Sequence, residues 1–333
     1  MSVKIKDVAA LAGVSVATVS RALGSGPVSV ELRLRVESAV LQLGYRPNLS
    51  ARRLRSQHSQ TVGLIVSDIR NPFFTAVSRA VEDAAYRVGM RVILCNTDEN
   101  LEKEAMYLRL MQEERVSGVI FSPTATTARR FRPDRFDFPV VMIDRAGPPG
   151  VTDAVVLDNR QAGDQMVEHL IRQGYRRIGG LFGNASTTGE ERCAGYEAAL
   201  ARHGLSPAVR LVAPSSEAAA AAVSAWRGQP DWPEALVASN GLLLLGAMRA
   251  LADAGLSIPG DMALAGFDND AWTGLVGGGL TVIEQPVYDI GAMAMDMLLS
   301  RLENPALSMR KLVLNGVLLE RGSTACKVQT SVE

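Results

Sequence analysis

Val3-Lys4-Ile5-Lys6-Asp7-Val8-Ala9-Ala10-Leu11-Ala12-Gly13-Val14-Ser15 is followed directly by Val16-Ala17-Thr18-Val19-Ser20-Arg21-Ala22-Leu23. Ile5, Val8, Ala9 and Ala12 recur at helical spacing and form one face of a short helix. Gly13 suits the sharp turn that follows, and Ser15 is placed to cap a second helix. On that helix Val19, Ala22 and Leu23 point one way, while Val16, Ala17, Ser20 and Arg21 point the other. Two short helices joined by a glycine turn, the second showing small, polar and basic groups, match a helix-turn-helix. The start of the second helix meets base edges in that motif. Ser15, Val16, Ala17, Thr18, Ser20 and Arg21 are therefore the candidate DNA contacts.

A third helix is expected from the capping residue Ser29 to Leu43, with Leu32, Val36, Ala39, Val40 and Leu43 inward. Gly44 stands where a left-handed C-terminal residue is wanted, and Pro47 prevents continuation. A helical bundle without a ligand would show the same spacing, so charge decides between the two. Residues 1–60 hold nine Lys/Arg against three acids, leaving 26 basic and 32 acidic residues for the rest. The net-neutral chain is thus a +6 head on a −6 body, the asymmetry of a DNA-binding headpiece.

The run Ile5-Lys6-Asp7-Val8-Ala9, Ala12-Gly13-Val14-Ser15, Thr18-Val19-Ser20-Arg21, Gly44-Tyr45-Arg46-Pro47-Asn48, Ala51-Arg52 and Leu54 resembles the lactose/galactose-repressor (LacI/GalR) family in order and spacing. The resemblance implies a helix-turn-helix domain at 1–46 and a hinge helix and linker at 47–60. It also implies an effector-binding and dimerisation core at 61–333. In that family the hinge helix folds in the minor groove, and Leu54 sits where a leucine is wedged into the central base step. Asn48, Arg52, Leu54 and Arg55 are accordingly further candidate DNA contacts. A segment of two turns is too short to be helical alone in water, where roughly 12 residues are needed. It should order only on a partner.

From residue 61 the pattern changes to apolar runs alternating with amphipathic helices. Strands are expected at 61–66, 91–95, 116–121, 140–144, 155–157, 177–182, 235–239, 262–267, 281–284 and 311–319. Helices are expected at 74–88, 102–114, 128–136, 161–173, 190–203, 217–227, 242–254 and 287–302. Near-uniformly apolar strands alternating with helices mean parallel sheets covered on both faces. The expected fold is therefore an all-α headpiece plus an α/β core of two doubly wound parallel-sheet lobes. Lobe one takes about 61–159 and 287–318, lobe two about 160–286 and 319–326. The resemblance extends here through Asn71-Pro72-Phe73-Phe74, Gly174-Tyr175-Arg176-Arg177-Ile178, Arg192-Cys193-Ala194-Gly195-Tyr196 and Gly266-Phe267-Asp268-Asn269. It implies a core like a periplasmic sugar-binding protein.

In doubly wound sheets ligands bind beyond the carboxyl ends of the strands. Polar residues at those ends here are Asp144-Arg145, Asn240, Asp268 and Gln285. Carboxylates and amides converging in one place suit hydroxyl recognition. The resemblance adds Phe73 and Phe74 as stacking rings and Arg192 as a polar contact. Gly241 departs from the family, which often has an acid after the asparagine. Trp272, the run Gly277-Gly278-Gly279 and Gln285-Pro286-Val287-Tyr288 resemble the family's gluconate and ketogluconate regulators. Arg145 and Arg192 would then offer two cations to a sugar acid, with a neutral sugar as the alternative.

Other classes find less support. The three cysteines are far apart and lack CxxC spacing, arguing against disulfides or zinc and for a reducing cytoplasm. The N-terminal residues are charged and helical, unlike a signal peptide, and the longest uncharged apolar stretch, 235–248, is too short for a membrane span. His58, His169 and His203 are isolated, and no GxxxxGK[ST], GxSxG or HExxH motif occurs. No catalytic residue, metal or cofactor is expected. A cytoplasmic sugar-binding protein or a sugar-modifying enzyme on the same core is the alternative. The expected partners are double-stranded operator DNA, a sugar or sugar-acid effector, and a second copy of the chain in a homodimer or a tetramer.

Overall fold

The structure, a computed structural model, describes residues 3–24, 26–45, 59–184 and 186–326. Asn48, Arg52, Leu54, Arg55 and the hinge helix lie outside the described residues. The chain forms two compact units, Met1–Ser59 and Gln60–Glu333.

The first unit packs helices α1 (Ile5–Ala12), α2 (Val16–Ala22) and α3 (Val30–Leu43) around Val8, Val19 and Val36, all fully buried. Ser15 accepts the Thr18 backbone N–H at 3.1 Å and starts α2. Gly13 (φ 63°) and Gly44 (φ 59°) end α1 and α3 in the left-handed region. Arg35 donates to the Ala12 carbonyl at 2.7 Å and Arg33 to the Ala22 carbonyl at 3.1 Å. Two of the headpiece cations thus satisfy helix C-termini, where carbonyls lack partners and positive charge is favoured. Their charge is engaged inside the bundle.

The second unit holds two six-stranded sheets. The first contains β1 (Thr61–Val66), β2 (Arg91–Asn96), β3 (Gly118–Phe121), β4 (Val140–Ile143), β5 (Asp153–Leu157) and β11 (Lys311–Leu314). Its order is β2-β1-β3-β4-β5-β11, parallel throughout. The second contains β6 (Ile178–Gly183), β7 (Ala208–Val212), β8 (Ala235–Ala238), β9 (Ala263–Phe267), β10 (Thr281–Glu284) and β12 (Val317–Leu319). Its order is β7-β6-β8-β9-β10-β12, with only β12 antiparallel. Helices α4 (Pro72–Arg87), α5 (Leu101–Glu113), α6 (Ala125–Arg130) and α11 (Val287–Glu303) accompany the first sheet. The second is accompanied by α7 (Asn159–Arg172), α8 (Thr187–Arg202), α9 (Ser216–Trp226) and α10 (Gly241–Asp253). The central strands of each sheet are buried on both faces, as their apolar runs require.

Close helix packing rests on glycine. A Cβ at Gly195 would lie 2.1 Å from the Arg160 carbonyl oxygen, and one at Gly163 would lie 2.3 Å from that of Arg192. Helices α7 and α8 therefore touch backbone to backbone, which holds Arg192 close to Asn159.

Three expectations need correction. The helix expected at 128–136 is α6, which ends at Arg130 because Phe131 is extended, followed by one 3-10 turn at Pro133–Arg135. The strand expected at 311–319 is two strands, because the chain crosses at Asn315-Gly316 from one sheet to the other. The strand β7 was not foreseen. It is a half-exposed edge whose Arg210 covers the ring of Trp226 at 4.1 Å, so it lacks the apolar run of a central strand. Among the described residues no helix is long and apolar enough to cross a membrane.

Candidate ligand cleft

The carboxyl ends of both sheets open on one narrow cleft of about 60 Å³. Phe73, Phe74, Asp144 and Arg145 line it from the first sheet's side. Arg192, Asn240, Asp268 and Gln285 line it from the second. All eight residues singled out for effector binding are brought together here.

Asp268 follows β9 at φ 74° and Asp144 follows β4 at φ 64°, a region that non-glycine residues rarely occupy. Such backbone persists where surrounding structure enforces it, often at ligand sites. The Asp268 carboxylate accepts the Gly241 N–H at 2.9 Å, at the positive end of α10. Its other oxygen accepts from Gln285 Nε2 at 2.6 Å. Asn240 caps α10 by accepting the Leu243 N–H at 2.8 Å. Asp144 sits 3.3 Å from Arg145 Nε. Burial pushes its carboxyl above the usual aspartate range, while the charges of Arg145 and Arg192 oppose that shift.

The two arginines differ in freedom. Arg145 is buried, and its terminal nitrogens grip Glu99 at 2.8 and 2.5 Å while one also donates to the Pro123 carbonyl. Glu99 already supplies Arg145 with the carboxylate that a sugar acid was expected to bring. The two-cation expectation is corrected to one cation. Arg192 is 3% exposed and donates through Nε to Asn159 Oδ1 at 2.8 Å and through Nη1 to the Ser239 carbonyl at 2.5 Å. Its Cζ lies 4.1 Å above the Phe267 ring centroid. Burial draws its guanidinium below the usual arginine range, opposed by the charges of Asp268 and Asp144. Among the described residues nothing bonds its Nη2.

Phe73 and Phe74 stand in the first turn of α4, which Asn71 caps at 3.0 Å and Pro72 begins. They meet edge to face at 5.0 Å and 82°, and both are nearly buried, so most of each ring belongs to the core. Gly241 also finds its reason. A Cβ there would lie 2.8 Å from Asp270 Oδ2, so the neighbouring acid fills the space an acidic side chain at 241 would need. The glycines at 277–279 do not line the cleft. Gly278 and Gly279 accept the N–H groups of Gly322 and Ser323 at 3.0 Å each and seat the C-terminal turn.

Glu99, Ser186 and Thr188 line the cleft and were missed. Glu99 lies in the turn after β2 at φ 56°, and Asp98 beside it at φ 51°. The acidic cluster Asp98-Glu99 at a strand's carboxyl end was the available sign. Ser186 caps α8 and exchanges a 2.6 Å hydrogen bond with Thr188. Between the two lobes, Arg129 of α6 grips both oxygens of Glu190 of α8, at 2.6 and 2.7 Å.

In the headpiece, Arg21, Ala17 and Ser15 are exposed at the start and outer face of α2. Thr18 and Ser20 are half-buried. Val16, expected to point outward, is half-buried against the headpiece core. A helical side chain leans back over the preceding turn, which carries Val16 toward that core.

Two doubly wound lobes around a polar cleft, with a helix-turn-helix unit ahead of them, define a ligand-binding regulator. The family model described as "Periplasmic binding proteins and sugar binding domain of LacI family" matches residues 59–312. That described as "Bacterial regulatory proteins, lacI family" matches residues 4–48. The HTH-type transcriptional regulator PtxS of Pseudomonas plecoglossicida is 36% identical, across 97% of this chain and 96% of its own. The ribose operon repressor of Halalkalibacterium halodurans is 33% identical, across 96% of each. The structure of the lac repressor dimer bound to operator and the anti-inducer ONPF superposes with a TM-score of 0.86 at 26% identity, covering 98% of this chain and 100% of that one. The chain belongs to the LacI family of bacterial regulatory proteins. It is a DNA-binding transcriptional regulator with a sugar-binding type of core.

Proposed function

We propose that the cleft binds a polyhydroxylated small molecule, a sugar or sugar acid, and that this ligand sets the affinity of the headpiece for operator DNA. The observation that carries the reading is the pair of strand-end carboxylates, Asp144 and Asp268, one from each lobe, flanking Arg192. A carboxylate accepts from adjacent hydroxyls, and a ligand touching both lobes favours one relative placement of them. A sugar acid is the narrower reading, favoured by the open Nη2 of Arg192. The experiment is calorimetry of the full chain against sugars and sugar acids, where a ligand at about 100 times its Kd adds roughly 2.7 kcal/mol. The expected result is stabilisation by one of these compounds. If it is an acid, its reduced alcohol binds far more weakly, and equal binding of the two removes the narrower reading. No stabilisation by any member of either class removes the proposal.

The exposed face of α2 is proposed to read bases through Arg21, with Ala17 making apolar contact. Arg21→Ala should cost about 1–3 kcal/mol of operator binding and relax preference at one base position. Binding of all single-base operator variants, measured by anisotropy, checks this. Equal weakening on every variant would place Arg21 on phosphate instead.

A further inference from the structure

A second concavity of about 510 Å³ lies between α5 and the segment from α6 to Phe136. It is formed by the first lobe alone and shares no residue with the cleft. Its size is that of sites for small organic molecules, roughly 300–1,000 Å³. Leu108 and Phe131 are buried at its base, with Leu101 and Ala105 exposed beside them. Phe131 and Phe136 stack at 5.8 Å and 16°, and Phe136 and Phe138 at 5.4 Å and 19°, so the groove borders a set of near-parallel flat rings.

Cations surround this apolar base. Arg109, Arg130, Arg132 and Arg135 all line the groove. Arg132 is paired with Asp134 at 3.0 Å. Among the described residues no carboxylate pairs with Arg109, Arg130 or Arg135. Glu104 is the acid on the wall, and it does not neutralise them. It is 2% exposed, and its carboxylate accepts the Thr124 N–H at 2.6 Å and the hydroxyls of Thr124 and Thr127. Unpaired arginines over solvent are ordinary. Three of them lining a concave surface that exposes Leu101 and Ala105 beside the half-buried Phe136 ring are not explained by the fold.

We propose that this groove is a second ligand site, for a flat aromatic or heteroaromatic molecule carrying a carboxylate or phosphate. The ring covers the apolar base, and the anion takes the guanidinium forks of Arg130 and Arg135, whose geometry matches either group. Arg129, next to Arg130 on α6, holds Glu190 of the opposite lobe. A groove ligand therefore acts on the helix that pairs with the second lobe through Arg129.

The test is fluorescence anisotropy of 1-naphthyl phosphate, 1-naphthoate and the neutral 1-naphthalenemethanol, each titrated with the full chain. The anions should bind about tenfold or more tighter than the alcohol. The doubly substituted Arg130→Gln/Arg135→Gln chain should lose that advantage. An Arg87→Gln/Arg172→Gln chain, with the same change of net charge on other exposed helices, should keep it. Tighter binding of the phosphate assigns the site to phosphate esters, and tighter binding of naphthoate assigns it to carboxylic acids. Equal binding of the alcohol and both anions overturns the proposal. So does parental affinity in the Arg130/Arg135 variant, or equal loss in the two double variants.

Discussion

Arg192→Met is expected to lower the unfolding free energy by about 3–5 kcal/mol, the usual cost of removing one partner from a buried charged network. The arginine donates to Asn159 and to the Ser239 carbonyl, and it covers the ring of Phe267. Methionine restores much of the volume but none of the donors. It also removes the cation that acts on both Asp144 and Asp268, so ligand binding should fail along with stability. Urea denaturation of the full chain measures the first effect and ligand titration at low temperature the second. An unchanged midpoint would mean that Arg192 is solvated and that the cleft is organised differently.

Asp268→Ala is expected to act mainly on the ligand. Its carboxylate meets the Gly241 N–H and Gln285 Nε2, and both are left without that acceptor in the variant. Together with the lost ligand hydroxyl contacts this should weaken effector binding by about 1–3 kcal/mol, or more if the ligand presents charge-assisted bonds. The headpiece is a separate compact unit, and its DNA affinity without effector should be that of the parent. Anisotropy with operator DNA and calorimetry with the effector give the two numbers. Normal effector affinity in the variant would place the site elsewhere.

Much of this fold was legible because burial imposes pattern. Strand β1 was read to the residue, since it is an almost wholly apolar run buried on both faces and closed by polar residues, and β10 because Glu284 and Gln285 end its short buried run. Strand β7 escaped because an edge strand need not be apolar, and the 311–319 run misled because a crossing between sheets leaves hydrophobicity unchanged. The cleft was legible for a related reason. Asp144, Asn240, Asp268 and Gln285 interrupt the chain where apolar strands end, and the topology of doubly wound sheets brings those ends together. Glu99 could not be assigned in the same way. Its contribution depends on a left-handed turn and on which arginine it reaches, and only three-dimensional placement shows that it occupies Arg145. Composition likewise overstated the free charge of the headpiece, since Arg33 and Arg35 serve as helix caps.

Two lobes closing on a ligand can control DNA only if the ligand binds the DNA-competent and DNA-incompetent states unequally. The most direct measurement is the operator affinity of the full chain, on a site selected from random DNA, with and without saturating effector. A coupling of roughly 1–3 kcal/mol is typical, so the dissociation constant should change by about 5- to 150-fold. The Asp268→Ala chain should show the parent's affinity without effector and no change at the same effector concentration. If a ligand that occupies the cleft leaves operator affinity unchanged, or if Asp268→Ala responds as the parent does, the cleft is not the regulatory site.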